Sequence, residues 1–380
     1  LSDEEREFAT TVRRFALERL LPEYSRWDRG EPFPRERLKE LADLGILGLR
    51  VPEEHGGMGA SSVMCGIAAE ELARGDYNTT LFLQIETIAA EILANQGSPT
   101  VRKEWMPRIV SGDGVMAFAL TEPDAGSDAA AITTRARRDG DEWVISGEKA
   151  SITFAGFADA AIVIARTTEK GGPKGMGAVL VPLDRPGITR NVYSSLGERL
   201  SQRGSLVFDD VRVPLDNMLG DERSGFLRAM EAFDYNRAII ALCCVGAALQ
   251  SLDETVAYTK IRKTFGKPLA MREGVAFQIA EHLTMVEAAR LLAYQCLTRR
   301  DRGLSHTRES AMSKWLGPKA SADAIHACIL LHGWIGYGKE LPLEQRLRDV
   351  IGLEIGDGTP EIMKGIVARE VFGREFVSYR

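Results

Sequence analysis

Two changes in the spacing of apolar residues divide this sequence into three parts that require different secondary structure. Up to about residue 114, apolar side chains such as Phe8, Val12 and Phe15 recur at helical intervals behind a capping box that begins at Ser2. From about residue 115 to 220, short apolar runs such as 161–165 alternate with turns rich in Gly, Pro and Asp, which is typical of strands. From residue 224 onward, long helical patterns return.

Helices, then strands, then helices, without alternation of strand and helix, predict an α+β fold. We expect an N-terminal helical domain over residues 1–114, a central small β-barrel-like domain over 115–220 and a C-terminal helical bundle over 221–380. The helical patterns of the bundle cover about 238–265, 274–300 and 307–331. No GxGxxG motif opens a helix, which argues against a Rossmann flavoprotein.

Charge and cysteine usage narrow the class of function. The chain has 48 Lys and Arg against 54 Asp and Glu, a net charge of −6, which gives no electrostatic reason to bind nucleic acid or an anionic membrane. No apolar run reaches the roughly 18 residues of a membrane span. The five cysteines stand mostly in apolar helical context, and Cys243 and Cys244 are adjacent rather than spaced as CxxC. We expect a soluble protein of a reducing compartment without a metal site.

One acidic residue stands among glycines near the C-terminus, in the segment IGDGTPEIMK over 355–364. Pro360 suits the first position of a helix and Thr359 can cap it. Gly356 and Gly358 would allow a flat ligand to approach the backbone. Asp357 is therefore a candidate base on a loop before a helix, although it could also be only a turn or capping residue.

A second segment, AFALTEPDAGSD over 117–128, runs from an apolar strand into a turn whose N–H groups could hold a planar ring or a phosphate. With the 355–364 segment and YTKIRKTFGKP over 258–268, it resembles the acyl-CoA dehydrogenase flavoprotein family. The segments PEEHGGMG over 52–59 and FDDVRVP over 208–214 match the same family in the same order. The resemblance covers essentially the whole chain.

The resemblance implies a bound FAD. Thr121 would bond the pyrimidine edge of the flavin, Thr153 would lie near flavin N5, and Arg262 would bind the pyrophosphate side from a neighbouring subunit. The family positions for the cofactor correspond to Phe118, Leu120, Thr121, Gly126, Ser127, Thr153, Arg262, Thr264, Phe265, His332, Gly333, Trp334 and Thr359. Ser151 replaces a Trp that usually packs on the flavin. Around His332 the family pattern is altered, so only backbone contacts are expected there.

By the same resemblance, Ser127, Asp234, Arg237 and Gly358 would contact the CoA thioester. Some relatives carry the catalytic Glu on the helix that contains Asp234, but this chain has no carboxylate at that place. Asp357 stands where most members have Glu and would therefore be the base. In the helix that would border the acyl pocket, Gln84 and Glu86 could line the pocket or lie on the surface.

The implied reaction is dehydrogenation of an acyl-CoA to the trans-2-enoyl thioester. Asp357 would take the α proton while hydride passes to flavin N5, and an electron-transfer flavoprotein would receive the electrons from a homotetramer. The resemblance also implies a bacterial cytoplasm or a mitochondrial matrix. Since Asp is shorter than Glu by roughly 1.3 Å, a cyclic or α-branched substrate such as cyclohexane-1-carbonyl-CoA is favoured. A straight-chain dehydrogenase, an oxidase similar to nitroalkane oxidase and a flavin-binding scaffold without turnover remain alternatives.

Overall fold

The computed structural model describes residues 2–168, 175–223 and 225–376, with only the backbone described for 226–232. Helices occupy both ends of the chain and strands its middle, so the predicted α+β order is confirmed. The α-helices are α1 Asp3–Phe15, α2 Tyr24–Asp28, α3 Arg35–Asp43, α4 Ser62–Gly75, α5 Thr80–Gln96, α6 Pro99–Ser111, α7 Gly225–Ile261, α8 Glu273–Asp301, α9 Thr307–His332, α10 Trp334–Tyr337, α11 Leu343–Ile355 and α12 Pro360–Phe372.

The strands of the middle segment form one eight-stranded sheet. They are β1 Met116–Ala119, β2 Arg135–Asp139, β3 Glu142–Ile152, β4 Ala160–Arg166, β5 Met176–Pro182, β6 Ile188–Val192, β7 Gly204–Pro214 and β8 Met218–Leu219. Their order is β6-β7-β3-β2-β4-β5-β8, and β1 pairs in parallel with β4. The long pair β3–β7 is antiparallel and contains register shifts.

Helix α7 lies at the centre of the helical part and packs against α4, α8 and α9. Its segment Phe233–Ile261 is long and apolar enough to cross a membrane, but 78% of its most apolar stretch is buried inside the fold. Fully buried side chains such as Tyr235, Ile239 and Leu242 explain that apolarity, because the helix contributes to the core on nearly all sides.

Local sequence signals fix most ends of these elements. The Ser2 capping box is present, with Glu5 completing it, and the side chain of Thr359 caps α12 with Pro360 at its first turn. The predicted helix over 238–265 is wrong at its end, because α7 stops at Ile261. Residues 263–268 instead form a small antiparallel hairpin of β9 Lys263–Thr264 and β10 Lys267–Pro268. Phe265 and Gly266 turn there with φ of 49° and 77°, which a helix does not allow.

Candidate active site

Asp357 lies on the short connection between α11 and α12. Its φ is 55°, in the left-handed region that is costly for a residue other than Gly, Asn or Asp. Gly358 follows with φ of 103°, and a Cβ atom there would meet the Cε of Met363 at 2.5 Å. The carboxylate of Asp357 is exposed. Of the hydrogen bonds between described residues, none has the Asp357 N–H as donor.

Two cations lie within electrostatic reach of Asp357. Arg237 of α7 donates to Asp234 at 2.6 Å, and Asp234 also accepts from the Thr307 hydroxyl at 2.8 Å. Burial lowers the pKa of Arg237, while the carboxylates of Asp234 and Asp357 oppose the shift. Burial likewise lowers the pKa of Lys314 on α9, again opposed by Asp357. The structure therefore brings together the predicted residues Asp357, Asp234 and Arg237, and it adds Lys314, which sequence reasoning missed.

The two threonines predicted to face the flavin lie at the same end of the sheet. The Thr121 carbonyl accepts from the N–H of Ala150 at 2.8 Å, and Thr153 follows directly after the end of β3 at Ile152. Both side chains are partly exposed. Thr153 is therefore not an ordinary strand residue, because it stands in the turn after the strand.

The neighbouring predicted residues fit a flat ligand at this edge. Phe118 packs edge-on against Phe233 with 5.2 Å between ring centroids, and Leu120 is nearly buried. Gly126 and Ser127 are exposed, and no atom lies within 4 Å of a Cβ placed at Gly126. The apolar side chains could contact the flat face of an isoalloxazine ring, and the two threonines and the open turn could contact its polar edges. These residues therefore fit FAD.

A buried ion pair between Lys149 and Glu122 stabilises the segment that carries Leu120 and Thr121. The Lys149 ammonium donates to the Leu120 carbonyl and to Glu122, both at 2.8 Å, and Glu122 also accepts from the N–H groups of Thr133 and Thr134. Burial lowers the pKa of Lys149 to about 8 although Glu122 opposes it. Burial would raise the pKa of Glu122, but Lys149 and these hydrogen bonds hold it at about 2. Glu122 follows β1 and Lys149 lies in β3, and nothing in the sequence shows that the two residues pair.

Strained backbone clusters around the same turn. Ser151, Phe154, Glu198 and Gln202 are non-glycine residues with φ between 44° and 65°. Arg203 joins two of them, donating to the Ser151 carbonyl at 3.0 Å and to the Glu198 carboxylate at 2.5 Å. Burial would lower the pKa of Arg203, but the carboxylates of Glu198 and, more weakly, Asp357 raise it. Arg203 was not a sequence candidate, and it links the flavin-side turn to the surroundings of Asp357.

The predicted pyrophosphate residues lie far from Asp357 in the same chain. From Arg237 to the end of α7 at Ile261 the helix rises by roughly 36 Å, and Arg262 follows it. Arg262 is exposed, and its side chain makes no hydrogen bond or ion pair within the described part of the chain. Phe265 is 97% exposed on the hairpin, beside the partly exposed Thr264. Arg262 and Asp357 of the same chain are therefore not neighbours.

The residues 332–334 at the end of α9 differ in exposure, with His332 buried and the next two residues exposed. The ring of His332 is buried, stacks on Tyr258 at 4.3 Å and contacts the Cys328 carbonyl through Nδ1 at 2.8 Å. Its own carbonyl accepts from the Tyr258 hydroxyl at 3.3 Å. The His332 side chain is thus used inside the fold. Gly333 is exposed with φ of 66°, and Trp334 is 85% exposed, so these two residues are the ones accessible to a ligand.

Gln84 and Glu86 of α5 are both buried, so the alternative of surface exposure is wrong for them. Gln84 donates to the Thr80 hydroxyl and to the Cys243 sulfur, each at 3.3 Å. One oxygen of Glu86 accepts from the Met116 N–H at 2.9 Å, while the other has no hydrogen-bond partner among the described residues. Burial raises the pKa of Glu86 to about 8.

The cysteine side chains lie in the interior of the fold. All five cysteines are buried free thiols. Within residues 2–168, 175–223 and 225–376, no group of three or more His, Cys, Asp and Glu side chains is arranged to hold a metal ion.

Three family models match the chain. They describe the acyl-CoA dehydrogenase N-terminal domain over residues 2–113, the middle domain over 117–211 and the C-terminal domain over 223–372. The mitochondrial short-chain specific acyl-CoA dehydrogenase of Bos taurus is 37% identical over 372 residues, which is 97% of this chain and 89% of the relative.

Solved structures agree with these matches. Butyryl-CoA dehydrogenase from Megasphaera elsdenii superposes with a TM-score of 0.93 at 31% identity, covering 98% of each chain. A glutaryl-CoA dehydrogenase from Mycobacterium smegmatis in complex with FADH2 superposes with a TM-score of 0.94 at 31% identity, covering 100% of this chain and 97% of that one.

The helix–sheet–helix architecture and its matches define this chain as an oxidoreductase. It belongs to the acyl-CoA dehydrogenase family, whose members depend on FAD.

Proposed function

We propose that this protein removes the α and β hydrogens of an acyl-CoA thioester with Asp357 as the base. The observation that carries the proposal is the position of Asp357 between α11 and α12. This residue is exposed, its N–H donates no hydrogen bond within the described part of the chain, and Arg237 and Lys314 lie within its electrostatic reach. A thioester carbonyl could accept from that N–H while the carboxylate takes the α proton, and such a donor stabilises the developing enolate. On α7, position 236 is Asn, so no acid competes there.

FAD would supply the acceptor for the β hydride. In this proposal Thr121 and Thr153 orient the ring from the end of the sheet, with Phe118, Leu120, Gly126 and Ser127 around it. Thr359 lies within two residues of the base and would contact the ring from the other side. Ser127, Asp234, Arg237 and Gly358 would orient the thioester and its pantetheine arm.

Arg262, Thr264 and Phe265 would bind the pyrophosphate side of FAD in a partner subunit, as Gly333 and Trp334 would through their backbone. The distance of Arg262 from Arg237 along α7 and the exposure of Phe265 support a shared site. Arginine suits this task because its planar fork of donors pairs two phosphate oxygens. We therefore propose a homotetramer in the bacterial cytoplasm or mitochondrial matrix, with an electron-transfer flavoprotein as the acceptor.

Replacement of Asp357 by Asn tests the base. We expect Asp357→Asn to keep FAD and thioester binding but to bleach the flavin with acyl-CoA at least about 10²-fold more slowly, the range of a well-placed general base. Glu361→Gln is the matched control, because it removes an exposed carboxylate four residues further on, in the first turn of α12. An unchanged bleaching rate in Asp357→Asn would refute the assignment.

For the substrate we propose a cyclic or α-branched acyl-CoA, with cyclohexane-1-carbonyl-CoA as the test compound. The carboxylate of Asp reaches roughly 1.3 Å less far than that of Glu, so a bulkier acyl group would better bring its α carbon to the base. A short straight-chain substrate is the second candidate, because the Bos taurus relative is named for short chains. A kcat/KM for butyryl-CoA at least about tenfold above that for cyclohexane-1-carbonyl-CoA would decide for the second candidate, and hydrogen peroxide in place of electron transfer would indicate an oxidase.

A further inference from the structure

Lys314 is a buried cation without a carboxylate partner. Its side chain on α9 is almost completely enclosed, and none of the described carboxylates forms an ion pair with it. Burial of a charge is costly unless hydrogen bonds compensate for it. An apolar side chain at this position would avoid the cost of burying a charge. The ammonium group therefore calls for a specific explanation.

The two acceptors of Lys314 enclose the segment that carries Asp357. The ammonium donates to the carbonyl of Leu353 at 2.5 Å, in the last turn of α11, and to the carbonyl of Gly358 at 3.1 Å, directly after Asp357. A helix C-terminus carries partial negative charge, which favours a cation at the first of these carbonyls. One side chain thus ties the end of α11 to the residue that follows the acid.

This attachment coincides with strained backbone. Asp357 and Gly358 have φ of 55° and 103°, conformations that persist only where the surroundings hold them. The cap of α12 holds the segment from the other side, since the Thr359 hydroxyl accepts from the Ile362 N–H. Among the hydrogen bonds of the described residues, the one from Lys314 to the Gly358 carbonyl is the bond that joins the 356–359 connection to α9.

We propose that Lys314 is a positioning residue that holds the Asp357 segment in its catalytic geometry. The proposal rests on Asp357 being the base, as set out above. The other charged groups that face this region are Arg237 on α7, Arg203 before β7 and Glu354 on α11, and each would be left in place by a change at position 314.

The test uses Lys314→Gln and Lys314→Met in the FAD-loaded protein. Gln keeps a donor without the charge, whereas Met keeps the length without a donor. Lys319→Met is the matched control, because Lys319 lies on the same helix but is exposed and pairs only with Asp323 at 2.8 Å. FAD content and thermal midpoint identify the folded variants.

We expect both Lys314 variants to lose at least about tenfold in kcat with little change in KM, since misplacement by about 1 Å can cost about 10²-fold. Hydrogen exchange of peptides covering 354–360 should become faster, most in Lys314→Met, while exchange elsewhere stays as in Lys319→Met.

If either folded Lys314 variant matches Lys319→Met in kcat and in local exchange, the positioning role is refuted. Should both variants fail to fold, Lys314→Arg provides the same comparison, and faster exchange across the whole protein, with no excess over 354–360, would show a merely structural role. Full activity of Asp357→Asn would instead refute the proposed function, which separates the two failures.

Discussion

Glu86 should make the stability of this protein fall as pH rises through the neutral range. Its carboxyl group is only 1% exposed, and one of its oxygens has no partner among the described residues. Burial raises its pKa from 4.5 to about 8 in the folded chain. Because the unfolded chain releases this proton at a lower pH than the folded chain does, unfolding becomes easier as pH rises between these two values. Above about pH 8 both states are ionised and the penalty is constant.

The magnitude follows from the size of the pKa difference. Each pKa unit corresponds to about 1.4 kcal/mol, so at pH 7 the wild type should have lost about 3 kcal/mol relative to acid conditions near pH 4.5. Glu86→Gln removes the titration but keeps an oxygen that can accept from the Met116 N–H. The difference in stability between the Gln variant and the wild type should therefore grow by about 2.5 kcal/mol from about pH 5 to pH 7.

The assay is the unfolding midpoint of both proteins over this pH range, by heat or by urea at fixed protein and FAD concentration. Glu4→Gln is the control, because it makes the same substitution at an exposed position, on the first turn of α1. If the Glu86→Gln difference changes with pH no more than the Glu4→Gln difference does, Glu86 is hydrated or ionised in the folded protein, and the argument from its burial is wrong.

Two further predictions concern Arg262, a proposed FAD-binding residue, and Lys149, which pairs with Glu122 near the proposed flavin site. Arg262→Ala should lower FAD retention on gel filtration at least about tenfold, because a charge-assisted pair with phosphate is lost. Lys263→Ala, one residue further on, is the control and should retain FAD. Equal retention in both variants would count against Arg262. Lys149→Met should cost about 3–5 kcal/mol of stability, because it leaves Glu122 buried without its cation, and a urea midpoint equal to wild type would contradict that pairing.

The sequence alone was sufficient where a local signal is also the physical cause of the structure. The Ser2 capping box and the Thr359–Pro360 helix start were readable because caps act on residues only a few positions away. The change from helical to strand spacing predicted the α+β order for the same reason, since periodicity and burial are directly linked. The candidate base Asp357 was found because its glycine neighbours and the following cap are contiguous in the chain.

Contacts between distant segments were decided only by the tertiary structure. Lys314 reaches Gly358 over 44 residues, and Arg203 reaches Ser151 over 52. A lysine in a helical pattern looks the same whether it points to solvent or to two carbonyls, so no local signal could assign Lys314 to the Asp357 segment. Burial of Glu86 likewise depends on the approach of β1 to α5. Sequence determined which elements form, and three-dimensional packing determined which charges meet, because electrostatic interactions depend on distance in space and not along the chain.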